Sequence, residues 1–321
     1  MSITSPALKR ARGDVPFAIV NYAGFLLFAL LCAYPFYFLI INSVSANDMS
    51  ALGQVRLWPE GLHLSNYAQI LQLDGLSAAA IVSVARTVIG TACTVLASAF
   101  LGFMFTQERM WKRSLWYRLV IFTMYFSAGL IPMYITMKTL GGLTNSFWVY
   151  ILPAIVQPFN IILVKTYVES MPASLQEAAE IDGAGGTLRV FFRIILPNMT
   201  PILATVAIFT AVAQWNSFQD TLLYITDQKL YSLQYLLYTY TNQASSLAQA
   251  AQNAQGGNLG GALATAATTQ TPTSIRMTVA VLVVLPHPLH LPALPTLFRQ
   301  GNHARRGQGL TVPRRTHEGV S

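Results

Sequence analysis

The stretch SLQEAAEIDGAGGTLRVFFRIILP, Ser174 to Pro197, is polar and partly charged, yet it lies between long apolar runs. Ser174-Leu-Gln-Glu177 has the form of a capping box. The Ser174 hydroxyl accepts from the backbone N–H near Glu177, and the Glu177 carboxylate reaches back to the N–H of Ser174. A short helix is expected to begin there. Ala178 and Ala179 carry so little side chain that another backbone can approach closely. Asp182 ends the turn, and Gly183 suits the left-handed residue that comes after a helix. Ala184 to Gly186 form a flexible bend, and Thr187 is placed to cap a second helix. In that helix Leu188, Phe191, Phe192 and Ile195 recur at helical spacing, with Arg189 and Arg193 on another side. Leu196 and Pro197 set the exit angle. The segment reads as a helix-turn-helix with a small docking knob; an amphipathic hairpin lying on a membrane surface shares the pattern.

The flanking runs name the solvent. Of 321 residues, 53% are hydrophobic and only 10% charged, against about 25% charged in a soluble domain. At roughly 20 apolar residues per crossing, candidate spans fall near 17–42, 78–105, 117–137, 146–168, 199–224 and from Ser274 onward. The first run is too long for a signal-peptide core and has no clean cleavage site after it, so it is expected to be retained. Lys9, Arg10 and Arg12 precede the first span. Arg109, Lys112, Arg113 and Arg118 separate the second from the third, and Lys165, Arg189 and Arg193 lie at or between the fourth and fifth. The other connections hold only Arg56, Lys138 and Lys229. The positive-inside rule then puts both termini and the opening stretch in the cytoplasm. The fold class expected is all-α: a polytopic membrane protein with about six transmembrane helices. Its parts are a cytoplasmic N-terminus (1–16), a membrane domain (17–286) with outer loops 43–77 and 225–273 and a cytoplasmic loop 171–197, and a tail (287–321).

The formal charge of +8 fits basic cytoplasmic loops rather than a nucleic-acid surface, because no aromatic-basic interleaving lies outside the spans. Cys32 and Cys93 sit inside apolar runs without metal-type partners, so neither a redox nor a zinc role is expected. The outer stretch LWPEGLHLSNY (Leu57 to Tyr67) has the turn formers and aromatics of a membrane-surface loop. Residues 242–272, rich in Gln, Ala, Ser, Gly and Thr, read as a flexible outer loop.

Polar residues inside spans need a reason. Arg86, near the outer end of the second span, is expected to snorkel toward the surface. Asn160, after Pro158, marks a kink satisfied by neighbouring groups. The fifth span carries Gln214, Trp215, Asn216, Ser217, Gln219 and Asp220, a cluster suited to a bundle interior or a water-filled path. Sugars bind well to aromatic faces flanked by amides and carboxylates, so Gln214, Trp215, Asn216 and Asp220 are the candidate substrate path. Interhelical hydrogen bonding or an outer-interface belt would use the same residues.

Glu177-Ala178-Ala179, Gly183 and Ile194-Ile195-Leu196-Pro197 resemble the EAA loop of ABC importer permeases, with a spacer one residue longer than the commonest form around Gly185-Gly186. AYPFYFLIINSVS (Ala33 to Ser45), FSAGLIPMYITMKTLGGLTN (Phe126 to Asn145) and QWNSF (Gln214 to Phe218) are similar to the carbohydrate branch of that family, the MalG-like and LplC-like permeases. The resemblance covers about residues 15–286. It implies a MetI-like permease fold in a bacterial cytoplasmic membrane. It also implies a heterodimer with a second permease, two copies of an ATPase subunit, an extracellular solute-binding protein and a sugar substrate. Glu177, Ala178, Ala179, Asp182 and Gly183 would contact the ATPase, with Leu196 and Pro197 directing the exit. The chain has no GxxxxGK[ST], so it is expected to bind no cofactor itself, with ATP and magnesium on the partner.

From Pro286 the composition breaks. His287, His290, His303 and His317 and several prolines crowd a region where the sixth span should finish. Residues 287–321 read as the product of a one-base insertion at the codons for Pro286–His287, whose neighbouring frame is compatible with a completed span and a short basic tail. A genuine His/Pro/Arg tail is the alternative, and such a copy could be inactive. Two other readings stay beside the sugar permease. A permease for peptides or polyamines would be separated by the solute-binding protein encoded beside it. A membrane-embedded enzyme would need an intramembrane catalytic constellation or HExxH, and the sequence has neither. A secondary transporter would show a two-fold repeat, which is not visible.

Overall fold

The computed structural model describes residues 14–51, 53–62, 64–71, 75–172, 186–253 and 272–284. These residues are mostly helical, with no strand among them. The chain divides into two compact units, one built from Met1–Gln72 with Tyr240–Leu282, the other from Leu73–Thr239 with Val283–Ser321.

The first unit opens with α1 (Asp14–Val44), whose side chains are almost all exposed up to Tyr37. An apolar helix bare on all sides is a membrane span rather than a surface helix of a water-soluble domain. Beyond its end come α2 (Asn47–Ala51) and α3 (Ser65–Leu71). They are tied to α1 by short polar bonds. Ser50 Oγ donates to Asn42 Oδ1 at 2.9 Å, Asn66 Nδ2 to Asn47 Oδ1 at 2.8 Å, and Ser43 Oγ meets Tyr67 Oη at 2.7 Å. Gly61, at φ +64°, lies so close to Ala46 that a Cβ would come within 2.8 Å of the alanine Cβ.

The second unit starts with α4 (Leu76–Met104), then α5 (Arg113–Tyr125), α6 (Leu130–Ile135), α7 (Pro158–Glu169), α8 (Thr187–Val190), α9 (Leu196–Asn198), α10 (Thr200–Asn216) and α11 (Gln219–Tyr224). Helix α4 packs against both α7 and α10. Next along the chain is α12 (Leu233–Asn253), which belongs to the first unit from Tyr240 on, and α13 (Pro272–Val284), in the first unit up to Leu282, is the last described. Among the described residues, only α1 and α4 are single helices long and apolar enough to cross a bilayer; three bent pairs bring the number up to five. The expected third span turns by 115° between α5 and α6. The turn falls at Ser127-Ala128-Gly129, where Gly129 takes φ +86°, a conformation that glycine adopts without steric cost. The expected fourth span bends by 46° before Pro158, because proline cannot donate to the preceding turn. The expected fifth is broken after Asn216, where Ser217 is extended.

One expected loop begins as helix. Residues 242–253, assigned by composition to a flexible loop, continue α12. Their Ala, Gln and Leu are good helix formers, and composition alone hides this.

Beside α4 and α7 a core forms from Ala99, Phe103, Val164, Val168, Val190, Phe191, Ile195, Met199 and Val206. Lipid tails are as apolar as these side chains, so close van der Waals fit holds such contacts together. The fit is tightest at Gly102, where a Cβ would stand 2.6 Å from Val164 Cγ1 and 3.1 Å from the Lys165 amide nitrogen. Gly102→Ala is expected to destabilise by about 1–3 kcal/mol through overpacking. Thermal unfolding in nanodiscs checks this, and an unchanged midpoint would show that α4 and α7 are not in register there.

Candidate functional site

Arg86 lies in the first half of α4 with a side chain only 2% exposed. A charge at such depth persists only with partners, and the break between α10 and α11 supplies them. Arg86 Nη2 donates to Asp220 Oδ2 at 2.7 Å and to Gln214 Oε1 at 3.1 Å. Its Nη1 donates to the Ser217 carbonyl at 3.1 Å and its Nε to Gln214 Oε1 at 3.3 Å. The guanidinium also stands 4.3 Å from the ring centroid of Tyr150, a favourable cation–π approach. The expected snorkelling is therefore corrected: Arg86 turns inward, because a carboxylate and two carbonyl acceptors lie within its reach.

The break explains why the cation belongs there. Where α10 ends, carbonyls lose their intrahelical donors and carry partial negative charge, which a cation relieves. Asp220 stands in the first turn of α11, where a negative charge is favoured, and it also accepts from Ser217 Oγ at 2.8 Å. Gln214 spans the site, since its Nε2 donates to the Tyr150 carbonyl at 3.2 Å. Gly90 leaves room for that amide; a Cβ there would come within 2.9 Å of Gln214 Nε2. Beyond it, Tyr150 Oη donates to the Leu230 carbonyl at 2.7 Å and shares a 3.0 Å hydrogen bond with Thr221.

This cluster forms one wall of a cavity of about 400 Å³. Its lining combines Arg86, Tyr150, Gln157, Asn160, Gln214, Ser217 and Asp220 with Phe159, Phe209 and Ala213. Asn160, read from the sequence as the mark of a kink, is 6% exposed, donates to Thr210 Oγ1 at 3.4 Å and lines the same cavity. Of the four candidate path residues, the structure places Gln214 and Asp220 on this wall. Trp215 instead donates its indole N–H to the Val283 carbonyl at 3.0 Å, and Asn216 Oδ1 accepts from Gln234 Nε2 at 3.3 Å. Sequence reasoning missed Gln157, Phe159 and Phe209. The amide beside Pro158 was the available signal for the first.

Glu177, Ala178, Ala179, Asp182 and Gly183 lie outside the described residues. Beyond them Gly186, not Thr187, occupies the cap position of α8, with no side-chain cap. A π-helical turn, Phe191–Ile195, joins α8 to α9. Val190, Phe191 and Ile195 are buried, whereas Leu188 and Phe192 are exposed, so the buried face differs from the one that simple helical spacing indicates. Leu196 and Pro197 then start α9, and the path turns by 79° into α10.

Comparison with known proteins agrees with this architecture. The family described as binding-protein-dependent transport system inner membrane component matches residues 94–250. The polygalacturonan/rhamnogalacturonan transport system permease protein YtcP of Bacillus subtilis is 36% identical over 221 residues, covering 69% of this chain and 77% of the relative. Protein LplC of the same organism is 35% identical over 207 residues, covering 64% and 70%. The melibiose/raffinose/stachyose import permease protein MelC, also of Bacillus subtilis, is 27% identical over 209 residues, covering 63% and 74%. Among solved structures, a chain of a bacterial ABC transporter involved in the import of the acidic polysaccharide alginate aligns with a TM-score of 0.74 and 25% identity. It covers 89% of this chain and 98% of that one.

Proposed function

The chain belongs to the family of binding-protein-dependent transport system inner membrane components, and from that premise we propose that it is a permease subunit of an ATP-driven sugar importer. Oligosaccharides are the substrate class, since relatives named above carry polygalacturonan, rhamnogalacturonan, melibiose, raffinose or stachyose in their names. The chain itself performs no catalysis. It sits in a bacterial cytoplasmic membrane as a multi-pass protein beside a second permease, two ATPase subunits and a solute-binding protein. Glu177, Ala178, Ala179, Asp182 and Gly183 dock on the ATPase, which binds ATP and magnesium.

The observation that carries the substrate reading is the cavity beside Arg86. Tyr150, Phe159 and Phe209 bring aromatic rings, while Gln157, Asn160 and Asp220 bring amide and carboxylate groups. A sugar ring has apolar C–H faces and a rim of hydroxyls, and this lining matches both. Arg86 and Asp220 neutralise one another, so the wall offers hydrogen bonds without net charge. Alternating access arises from a difference in binding between two states: ATP closes the ATPase pair, the docked loops move, and the path opens outward.

Filling the cavity tests this without disturbing the ion pair. Ala213→Trp is expected to reduce uptake of labelled oligosaccharide to background while the protein reaches the membrane in normal amount. Undiminished uptake would place the sugar path elsewhere. Uptake of peptides or polyamines, but not sugars, by the unaltered transporter would replace the sugar reading with the alternative solute class.

A further inference from the structure

The segment 56–58 dips back along the outer part of α1, and we propose that it is an interfacial anchor seated in the headgroup and upper acyl region of the bilayer. The hydrocarbon depth can be counted along the helix. Charges at Arg12 and Asp14 keep the start of α1 out of the lipid, so the apolar slab begins at Phe17. Roughly 20 residues cross it, which brings the far boundary to about Phe36. Tyr34 and Tyr37 therefore stand at that boundary. Their hydroxyls donate to the carbonyls of Arg56 at 3.3 Å and Leu57 at 2.6 Å. Two bonds thus hold this segment within one side-chain length of the boundary.

The rest of the loop shows that the dip is built. Val55 is fully buried and fixes the descending stretch of chain. The Glu60 amide donates to Ser45 Oγ at 3.2 Å, and the Glu60 carbonyl accepts from the Ala46 amide at 2.8 Å. Glu60 is thereby raised to the end of α1, in the water phase, while Leu57 and Trp58 remain below it. Leu57 and Trp58 are exposed by 62% and 77%. Large apolar side chains held bare at this depth, with a tryptophan among them, match the chemistry of the lipid interface. Arg56 beside them suits a lipid phosphate.

The test uses the full chain, purified with the subunits that accompany it and reconstituted in phosphatidylcholine vesicles with brominated acyl chains. Trp58→Phe changes an exposed side chain and leaves the core intact, so the difference between the two proteins isolates the emission of Trp58. That emission is expected to be blue-shifted and to be lost to bromines high on the acyl chain more than to bromines near the chain end. Loss to aqueous iodide instead would put Trp58 in water and overturn the proposal. Shielding from both quenchers would overturn it in favour of a protein partner. Uptake by Trp58→Phe reports separately on the transport reading.

Discussion

Asp220→Ala is expected to destabilise the chain by about 3–5 kcal/mol, the cost of leaving a buried charge unpaired. The reason is the asymmetry of the pair: the Arg86 side chain is 2% exposed and that of Asp220 35%. Guanidinium keeps its charge in any surroundings, whereas a partly exposed carboxylate can meet water. Arg86→Met is therefore expected to cost less, about 1–3 kcal/mol for the acceptors it strands. The double variant Arg86→Met/Asp220→Ala should be more stable than Asp220→Ala alone, because no uncompensated charge remains. Thermal unfolding in nanodiscs, arranged as a double-mutant cycle, measures the coupling. Additive losses would mean that the ion pair does not hold the break between α10 and α11. Uptake should fall with Asp220→Ala as well, since the same bonds shape the cavity wall.

The second large effect concerns the polar segment between the apolar runs. Glu177→Lys and Gly183→Pro are each expected to bring uptake down to background while the permease still reaches the membrane. On the proposed docking role, charge reversal at Glu177 would remove the expected capping carboxylate and invert the contact offered to the ATPase. Proline at 183 removes a backbone donor and forbids a left-handed φ. The described stem gives the reason that a change at this surface would travel. Phe191 and Met199 are 1% and 0% exposed, packed in one core with Phe103 of α4 and Val164 of α7. A dense core passes on displacement instead of absorbing it. Normal uptake together with normal ATPase co-purification in both variants would remove the coupling role.

The apolar runs were readable because membrane spans are long and their composition is extreme. Where they break was less readable. Pro158 announces one bend, but the break after Asn216 contains no proline, and its only mark is the polar run from Gln214 to Asp220. That run was legible as a site, yet its partner was not. Arg86 and Asp220 are 134 residues apart in sequence, and local pattern cannot see such a pairing. Taken alone, an arginine near a span end fits snorkelling equally well. Trp215 looked like a sugar platform by residue type, although its indole N–H is spent on a backbone carbonyl. Phe159 and Phe209 carried no signal, because an aromatic ring facing a cavity reads the same as one facing lipid.

The π-helical turn at Phe191–Ile195 bears on how such a chain can tolerate a change in its length. The Leu196 amide there donates to the Phe191 carbonyl, five residues back, so the turn holds one residue more than an α-helical turn would. In an ordinary helix a single inserted codon rotates everything downstream by about 100° and would swing Ile195 and Met199 out of the core. A wide turn takes the surplus locally. The spacer of this chain is one residue longer than the commonest form of the loop it resembles, and the wide turn comes a few positions later. A one-residue surplus held in such a turn leaves the helices beyond it in register with the core.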